Sequence, residues 1–320
     1  MHIGPTEILD ERAEAFSARY ARLIVTAIDQ HWVDAAAAAA TGFAASVVGC
    51  DCEAGVERYL KPIETPDGRP GAALLFFNFR TEQLAKAIAW RVGECVLTCP
   101  TTACFNGLPD AEEVIPLGGD TREFADGFEE QGTISDCGLR IADSETSSNP
   151  QSAIRNPKSP LWKLPVWDGE FLVDAVAGVG LGVAGGNLVI HGVSQAAALN
   201  GAVRAANAVA PLAGVITPFP GGVCRAGSKV GALTLQDIVA TIDEAYCPTL
   251  RDRVATQLVA GAECAYEIII NGVDPAAVRG AMRLAMEAAA GEGVLALGAR
   301  SFGGKLGKHQ IGLRDLLPVK

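Results

Sequence analysis

The sequence predicts an α+β protein made of two ferredoxin-like (βαββαβ) lobes related by internal duplication. Three observations carry this reading. A pattern of apolar strand, amphipathic helix and apolar strand recurs four times along the 320 residues. Two such units in series make one lobe. The helix starts carry capping residues at the places the repeat requires. The short string Cys-Pro-Thr occurs at 99–101 and again at 247–249, which agrees with duplication. The lobes are expected at 1–160 and 161–320, with the boundary falling between Gly107 and Lys163.

Each copy follows from its apolar periodicity. The first runs from a strand at 21–27 through a helix near 31–40 to a strand at 45–49. The second joins 73–79, a helix near 81–92 and 94–98. The third joins 187–192, a helix near 194–209 and 214–217. The fourth joins 265–271, a helix near 275–290 and 294–297. Asp29, Ser194 and Asp274 stand where N-caps belong, and Pro275 fits the first helical turn. Gly42 and Gly93 are expected to stop the first two helices. The Ser-, Asn- and Pro-rich stretch 141–160 reads as an exposed insert between the lobes.

Composition narrows the function. Hydrophobic residues make up 49% of the chain and charged residues 20%, enough to bury a sizeable core. The formal net charge is −11. A nucleic-acid partner is not expected, because phosphate binding needs clustered Lys and Arg. The start of the sequence does not read as a secretory signal, and the apolar run at 35–50 is interrupted by Gly42. A membrane span needs about 20 consecutive apolar residues. A cytoplasmic location and free thiols follow as expectations for the nine cysteines.

Several segments offer chemistry. Glu267 lies in Cys-Ala-Tyr-Glu-Ile-Ile-Ile-Asn (264–271), an otherwise apolar strand. Strand alternation puts Glu267, Ile269 and Asn271 on one face and Tyr266, Ile268 and Ile270 on the other. A carboxyl among isoleucines loses hydration, and its pKa rises toward that of a neutral-pH proton donor. A solvent-facing or inter-subunit glutamate is the other reading, and the residues alone leave both open.

After the strand at 214–217 comes Pro218, Phe219, Pro220, Gly221 and Gly222, which cannot continue a ladder. Ser228 and Lys229 follow, with a hydroxyl and a cation. Together they read as a substrate-binding loop, with a plain surface turn as the alternative. Arg69, in the rigid loop 61–71, could hold a carboxylate or phosphate through a bidentate contact, or be an exposed hairpin arginine.

Other motifs carry less. Gly180, Gly182 and Gly185 match G-x-G-x-x-G, but a strand-like segment follows where a phosphate-binding helix is needed. They read as a glycine-rich strand connection. The spacing of Cys95, Cys99 and Cys104, with Cys50 and Cys52, matches neither zinc nor iron–sulfur patterns and reads as burial. His191 ends an apolar strand and reads as a satisfied core histidine.

At these segments the chain resembles the formylmethanofuran:tetrahydromethanopterin formyltransferase family. The matching stretches include ATGFAASVVGC (40–50), EAGVERY (53–59), TPDGRPG (65–71), CVLTCPTTACF (95–105), FADGFEE (124–130), DGEF (168–171), GVAGGN (182–187), GVITPFPGG (214–222), GSKVG (227–231), CPTL (247–250), YEIIINGVD (266–274) and GGKLGK (303–308). They are collinear and span nearly the whole chain. The resemblance implies two ferredoxin-like lobes, a homotetramer, and formyl transfer between the amine of methanofuran and N5 of tetrahydromethanopterin. It implies no metal or prosthetic group, since both carriers are substrates. It places the family's catalytic glutamate at Glu267 and the TPFPGG and GSKVG loops in the substrate cleft. The alanine-rich helices and the GGKLGKHQ terminus make the chain look like a bacterial relative, similar to the D subunit of a formyltransferase/hydrolase complex. There, formyl would leave the pterin for the furan carrier, in the direction of formaldehyde oxidation. An organising subunit with little activity of its own is the competing reading.

Overall fold

A computed structural model describes residues 1–117, 126–132, 160–235 and 237–318. The chain forms two compact units, Arg19–Leu181 and Met1–Ala18 with Gly182–Lys320. Among the described residues there are four α-helices, and none is long and apolar enough to cross a membrane.

The Arg19–Leu181 unit is built on strand β1 (Arg12–Thr26, from residue 19 on), helix α1 (Gln30–Thr41), strands β2 (Glu53–Leu60) and β3 (Gly71–Asn78), helix α2 (Thr81–Arg91) and strand β4 (Ala103–Asn106). The strands lie in the order β4-β1-β3-β2, every neighbour antiparallel. Val33, Ala36, Ala37 and Ala40 form the buried stripe of α1, and Leu84, Ala87 and Ile88 that of α2. Both stripes pack on β-strand residues such as Leu74 and Phe76 in one core. Asp29 caps α1 by accepting from the Trp32 amide at 3.2 Å.

The second unit repeats the order. It contains β5 (Val176–Gly192, from residue 182 on), α3 (Gln195–Val209), β6 (Val215–Ile216), β7 (Cys264–Gly272), α4 (Pro275–Ala289) and β8 (Val294–Gly298). Its strands run β8-β5-β7-β6, again antiparallel throughout. Ser194 and Asp274 cap α3 and α4 as expected. Small residues on α3 (Ala198, Ala202, Ala205) and α4 (Ala281, Ala285, Ala289) let the helices sit close to the sheet and to each other. Arg204 on α3 donates to the last carbonyls of α4, Ala288 and Ala289, at 2.9 and 2.7 Å.

The first 18 residues belong to this second unit, so the units divide the chain differently from a cut at residue 160. The reason is strand pairing. Thr6–Ile8 lies parallel to β8, and residues 12–15 pair with His309–Gly312. Glu14, fully buried, accepts hydrogen bonds from Ser301 Oγ and the amides of Phe302, Gly304, Leu306 and Gly307, all at 2.7–2.8 Å. Burial alone would raise its pKa. These bonds override that and hold it near 2.

Two expected strands are elsewhere. Residues 45–49 are turns, and the strand lies at Glu53–Leu60. Residues 94–98 lie at the end of α2, which passes Gly93 through a π-helical turn at Val92–Val96, and the strand is Ala103–Asn106. Residues 45–49 are half-buried to exposed, and residues 94–98 continue the helix with Val96 in the core. The glycine match at 180–185 lies within the single strand β5 and is not a connection between two strands. A register shift between Val183 and Gly186 is accommodated by Gly185 at φ +87°. The insert at 141–160 lies outside the described residues except Pro160, as do Phe124 and Ala125 of the FADGFEE stretch.

Candidate active site

Glu267 sits in the middle of β7, between two partners. Its cross-strand neighbour on β5 is Val189, and on the other edge its amide and carbonyl pair with Cys224. Ile268 and Ile270 point into the helix-covered core, which leaves the opposite face to Glu267. That face opens on a small cleft whose walls include Cys224, Gly227, Asp243, Tyr246 and Arg300. Glu267 is nonetheless only 6% exposed. The solvent-facing reading is therefore set aside.

Arg300, its side chain 10% exposed, is the cation opposite it. Strand β8 delivers it, and Asn187 of β5 fixes its backbone: Asn187 Oδ1 accepts from the Arg300 amide at 2.7 Å, and Nδ2 donates to its carbonyl at 3.1 Å. The guanidinium donates through Nη2 to Asp243 Oδ2 and to the Ser228 carbonyl, both at 2.6 Å. Nη1 lies 3.6 Å from Glu267 Oε2, too long for a normal hydrogen bond. The Tyr246 ring centroid is 5.6 Å from the guanidinium carbon, within cation–π range. A Cβ on Gly227 would lie 2.5 Å from Arg300 Nη1 and 2.8 Å from Glu267 Oε2. Glycine at 227 therefore makes room for this contact.

The electrostatics follow from two carboxylates sharing one guanidinium. Burial, helped by Asp243 and opposed by Arg300, raises the Glu267 pKa to about 6. Burial raises the Cys224 thiol to about 11, with Glu267 adding to the effect, so Cys224 is not a thiolate nucleophile at neutral pH. His191, 1% exposed, is held neutral by burial, with its pKa lowered to about 4. It is a core histidine as expected, but its Nδ1 has no hydrogen-bond partner. Its ring packs 5.9 Å from Tyr246. Among the described residues no three His, Cys, Asp or Glu side chains gather as a metal site.

The other expected site residues fall in three places. Ser228 does not line the cleft, but its carbonyl, not its hydroxyl, accepts from Arg300 Nη2. Lys229 turns away to pair with Glu244 at 2.5 Å. Pro218, Phe219, Pro220, Gly221 and Gly222 do not line the cleft. They form a tight turn with Gly221 at φ +63° and Gly222 at φ +77°, which brings the chain from β6 back to Cys224 beside Glu267. Arg69 belongs to the other unit. It donates to Asp67 Oδ2 at 2.9 Å, to Thr26 Oγ1 at 3.0 Å and to the Thr101 carbonyl. These bonds pin its loop to Thr101, a residue at φ +66°. Arg300, Asp243 and Tyr246 were missed by sequence reasoning. The CPTL string at 247–250 was the nearest signal, since it directly follows Tyr246.

Comparison with known proteins gives the family of the chain. The family model described as formylmethanofuran-tetrahydromethanopterin formyltransferase matches residues 1–140, and that of the family's proximal lobe matches residues 169–316. The chain is 42% identical to the formylmethanofuran–tetrahydromethanopterin formyltransferase of Methanosarcina mazei, over 99% of this chain and 100% of that one. It is 41% identical to the protein of the same name from Methylococcus capsulatus, with the same coverage. The solved formyltransferase from Methanosarcina barkeri superposes with a TM-score of 0.86 at 40% identity, covering 99% of this chain and 100% of that chain. A chain of the formyltransferase/hydrolase complex from Methylorubrum extorquens, solved with methylofuran, superposes at 0.87 with 40% identity and 99% of both chains covered. With both halves matched and full-length relatives above 40% identity, this chain belongs to the formylmethanofuran–tetrahydromethanopterin formyltransferase family.

Proposed function

We propose that this formyltransferase carries out its reaction at Glu267, moving a formyl group between the amine of methanofuran and N5 of tetrahydromethanopterin. The observation that supports this most directly is a buried carboxyl of pKa about 6 facing an open cleft. Acyl transfer between two nitrogens passes through a tetrahedral centre. The attacking amine must be neutral, the oxyanion must be stabilised, and the leaving nitrogen must gain a proton. A protonated Glu267 can donate that hydrogen bond or proton. The Arg300 charge, 3.6 Å from the same carboxyl, adds a positive field where negative charge develops. Holding the two carriers in line supplies part of the rate, and excluding water prevents loss of formate. The two carriers act as substrates, and the reading requires no resident cofactor.

Three further features belong to the proposal. The repeated strand orders β4-β1-β3-β2 and β8-β5-β7-β6 support two duplicated ferredoxin-like lobes. Exposed apolar side chains on the 228–242 hairpin support a homotetramer. Free thiols at the eight described cysteines support a cytoplasmic location.

The test is a formyl-transfer assay of the purified chain with 5-formyl-tetrahydromethanopterin and methanofuran. Glu267→Gln should lower kcat by about 10²–10⁴-fold with a smaller change in KM. Wild-type turnover in that variant sinks the acid role. The second reading is an organising subunit, favoured by the relative solved within a formyltransferase/hydrolase complex. Turnover by the chain alone argues against it; turnover only after hydrolase subunits are added supports it.

A further inference from the structure

The cleft holds two carboxyl groups and one guanidinium, and their distances are unequal. Asp243 Oδ2 takes Arg300 Nη2 at 2.6 Å, while Glu267 Oε2 stands 3.6 Å from Nη1. Asp243 is itself anchored. Its Oδ1 accepts from the Ala245 amide at 3.1 Å, and its own amide donates to the Gly227 carbonyl at 2.7 Å. A charge-assisted hydrogen bond at 2.6 Å is far stronger than an ion contact at 3.6 Å. The arginine is therefore committed to Asp243 before Glu267. We infer that Asp243 is a positioning residue of the reaction: it holds the Arg300 guanidinium back from Glu267 and so lets Glu267 keep the proton that formyl transfer requires. This rests on the acid role proposed above for Glu267.

The surroundings of Glu267 single out this pair. Strand β5 offers Val189 and, two residues on, the neutral His191. The 224–227 segment offers the un-ionised Cys224 thiol and Arg225, which is exposed at the rim. The 242–247 segment offers Asp243, Tyr246 and Cys247, and the Tyr246 phenol is held protonated by burial. Glu11 acts on Tyr246 from behind. Arg300 and Asp243 are the charges that move Glu267, in opposite directions. Removing the Asp243 charge deletes a repulsion and frees Nη2 to turn toward Glu267. Both changes favour the carboxylate. Removing the Arg300 charge favours the acid.

The experiment is an infrared titration of the protonated-carboxyl band that Glu267→Gln abolishes, run alongside pH–kcat profiles on the full chain. In Asp243→Asn the midpoint should fall by about one pH unit, with about tenfold lower kcat at pH 7. In Arg300→Gln the midpoint should rise. Asp243→Glu, which restores the charge, should return the midpoint toward wild type. A merely structural role would not move the two midpoints in opposite senses. An unchanged or raised midpoint in Asp243→Asn overturns the inference, as does a wild-type Glu267 that titrates at or below 4.5. The two ideas fail separately: a fully active Glu267→Gln removes the acid role, whereas an inactive Glu267→Gln with an unmoved Asp243→Asn midpoint removes only the role of Asp243.

Discussion

Glu267 is held in the fold against its own preference. The unfolded chain ionises it near 4.5, whereas the folded state keeps it protonated up to about 6. Between those values the folded state binds more protons, so stability declines as pH rises through the window and stays lower above it. The gap is worth about 2 kcal/mol above pH 6. Glu267→Gln removes the titration while keeping the shape. The variant should match wild type in urea denaturation at pH 4 and exceed it by about 2 kcal/mol at pH 7.5. Equal stability at pH 7.5 would show that the carboxyl is not strained by burial. Greater stability with lost turnover is the expected signature of a group retained for chemistry. This residue was legible in the sequence because a lone acid interrupts an apolar strand. Arg300 and Asp243 were not. Each lies in an irregular segment, Arg300 just after β8 and Asp243 at the start of a short turn, and only the sheet order brings them to β7. Lys229 misled for the same reason: a cation beside glycines suggests a ligand, and the fold gives it Glu244.

The elements that hold β7 in place depend on a close fit of helix α4. Val278 of α4 stands over two glycines, one on each of the adjacent strands β5 and β7. A Cβ on Gly186 would lie 2.5 Å from Val278 Cγ1, and one on Gly272 would lie 2.7 Å from Cγ2. Gly186→Ala or Gly272→Ala should each destabilise the protein by about 1–3 kcal/mol through overpacking. Val278→Ala is destabilising alone, yet it should recover part of the loss in either double variant. Strictly additive losses in such a cycle would mean that Val278 is not the obstacle. The four helices were readable to within a residue or two, because each carries apolar residues at helical spacing and most begin at a side-chain cap. Strands that pair within a repeat were less readable. A short apolar run can have the composition of a strand without its pairing, as at 45–49 and 94–98. The placement of residues 1–18 in the second unit was not readable at all. It depends on long-range pairing with β8 and His309–Gly312, and on Glu14 binding the 301–307 loop.

At the scale of the whole molecule, charge and apolar surface pull in opposite directions. Copies carrying a formal charge of −11 repel each other at low salt, so association has to come from apolar contact. The 228–242 hairpin offers such a contact. Its strands, Ser228–Val230 and Ala240–Ile242, present Val230 and Ile242 to solvent, and Val239 and Leu233 between them are also exposed, Leu233 by 88%. The same hairpin begins with Ser228, whose carbonyl holds Arg300, and runs directly into Asp243. A neighbouring copy seated on it would hold both partners of Arg300 in register, which links assembly to the acid at Glu267. In the proposed assembly, Leu233→Glu with Val239→Glu should therefore lower the molecular mass seen by sedimentation toward smaller species. Raising the salt concentration should favour association in wild type by screening the repulsion, and should do little for the variant. Turnover should fall in the dissociated variant although both substitutions lie outside the cleft. A variant of unchanged mass would remove the hairpin as the interface. A dissociated variant with full turnover would show that each chain holds Asp243 and Arg300 in place without help.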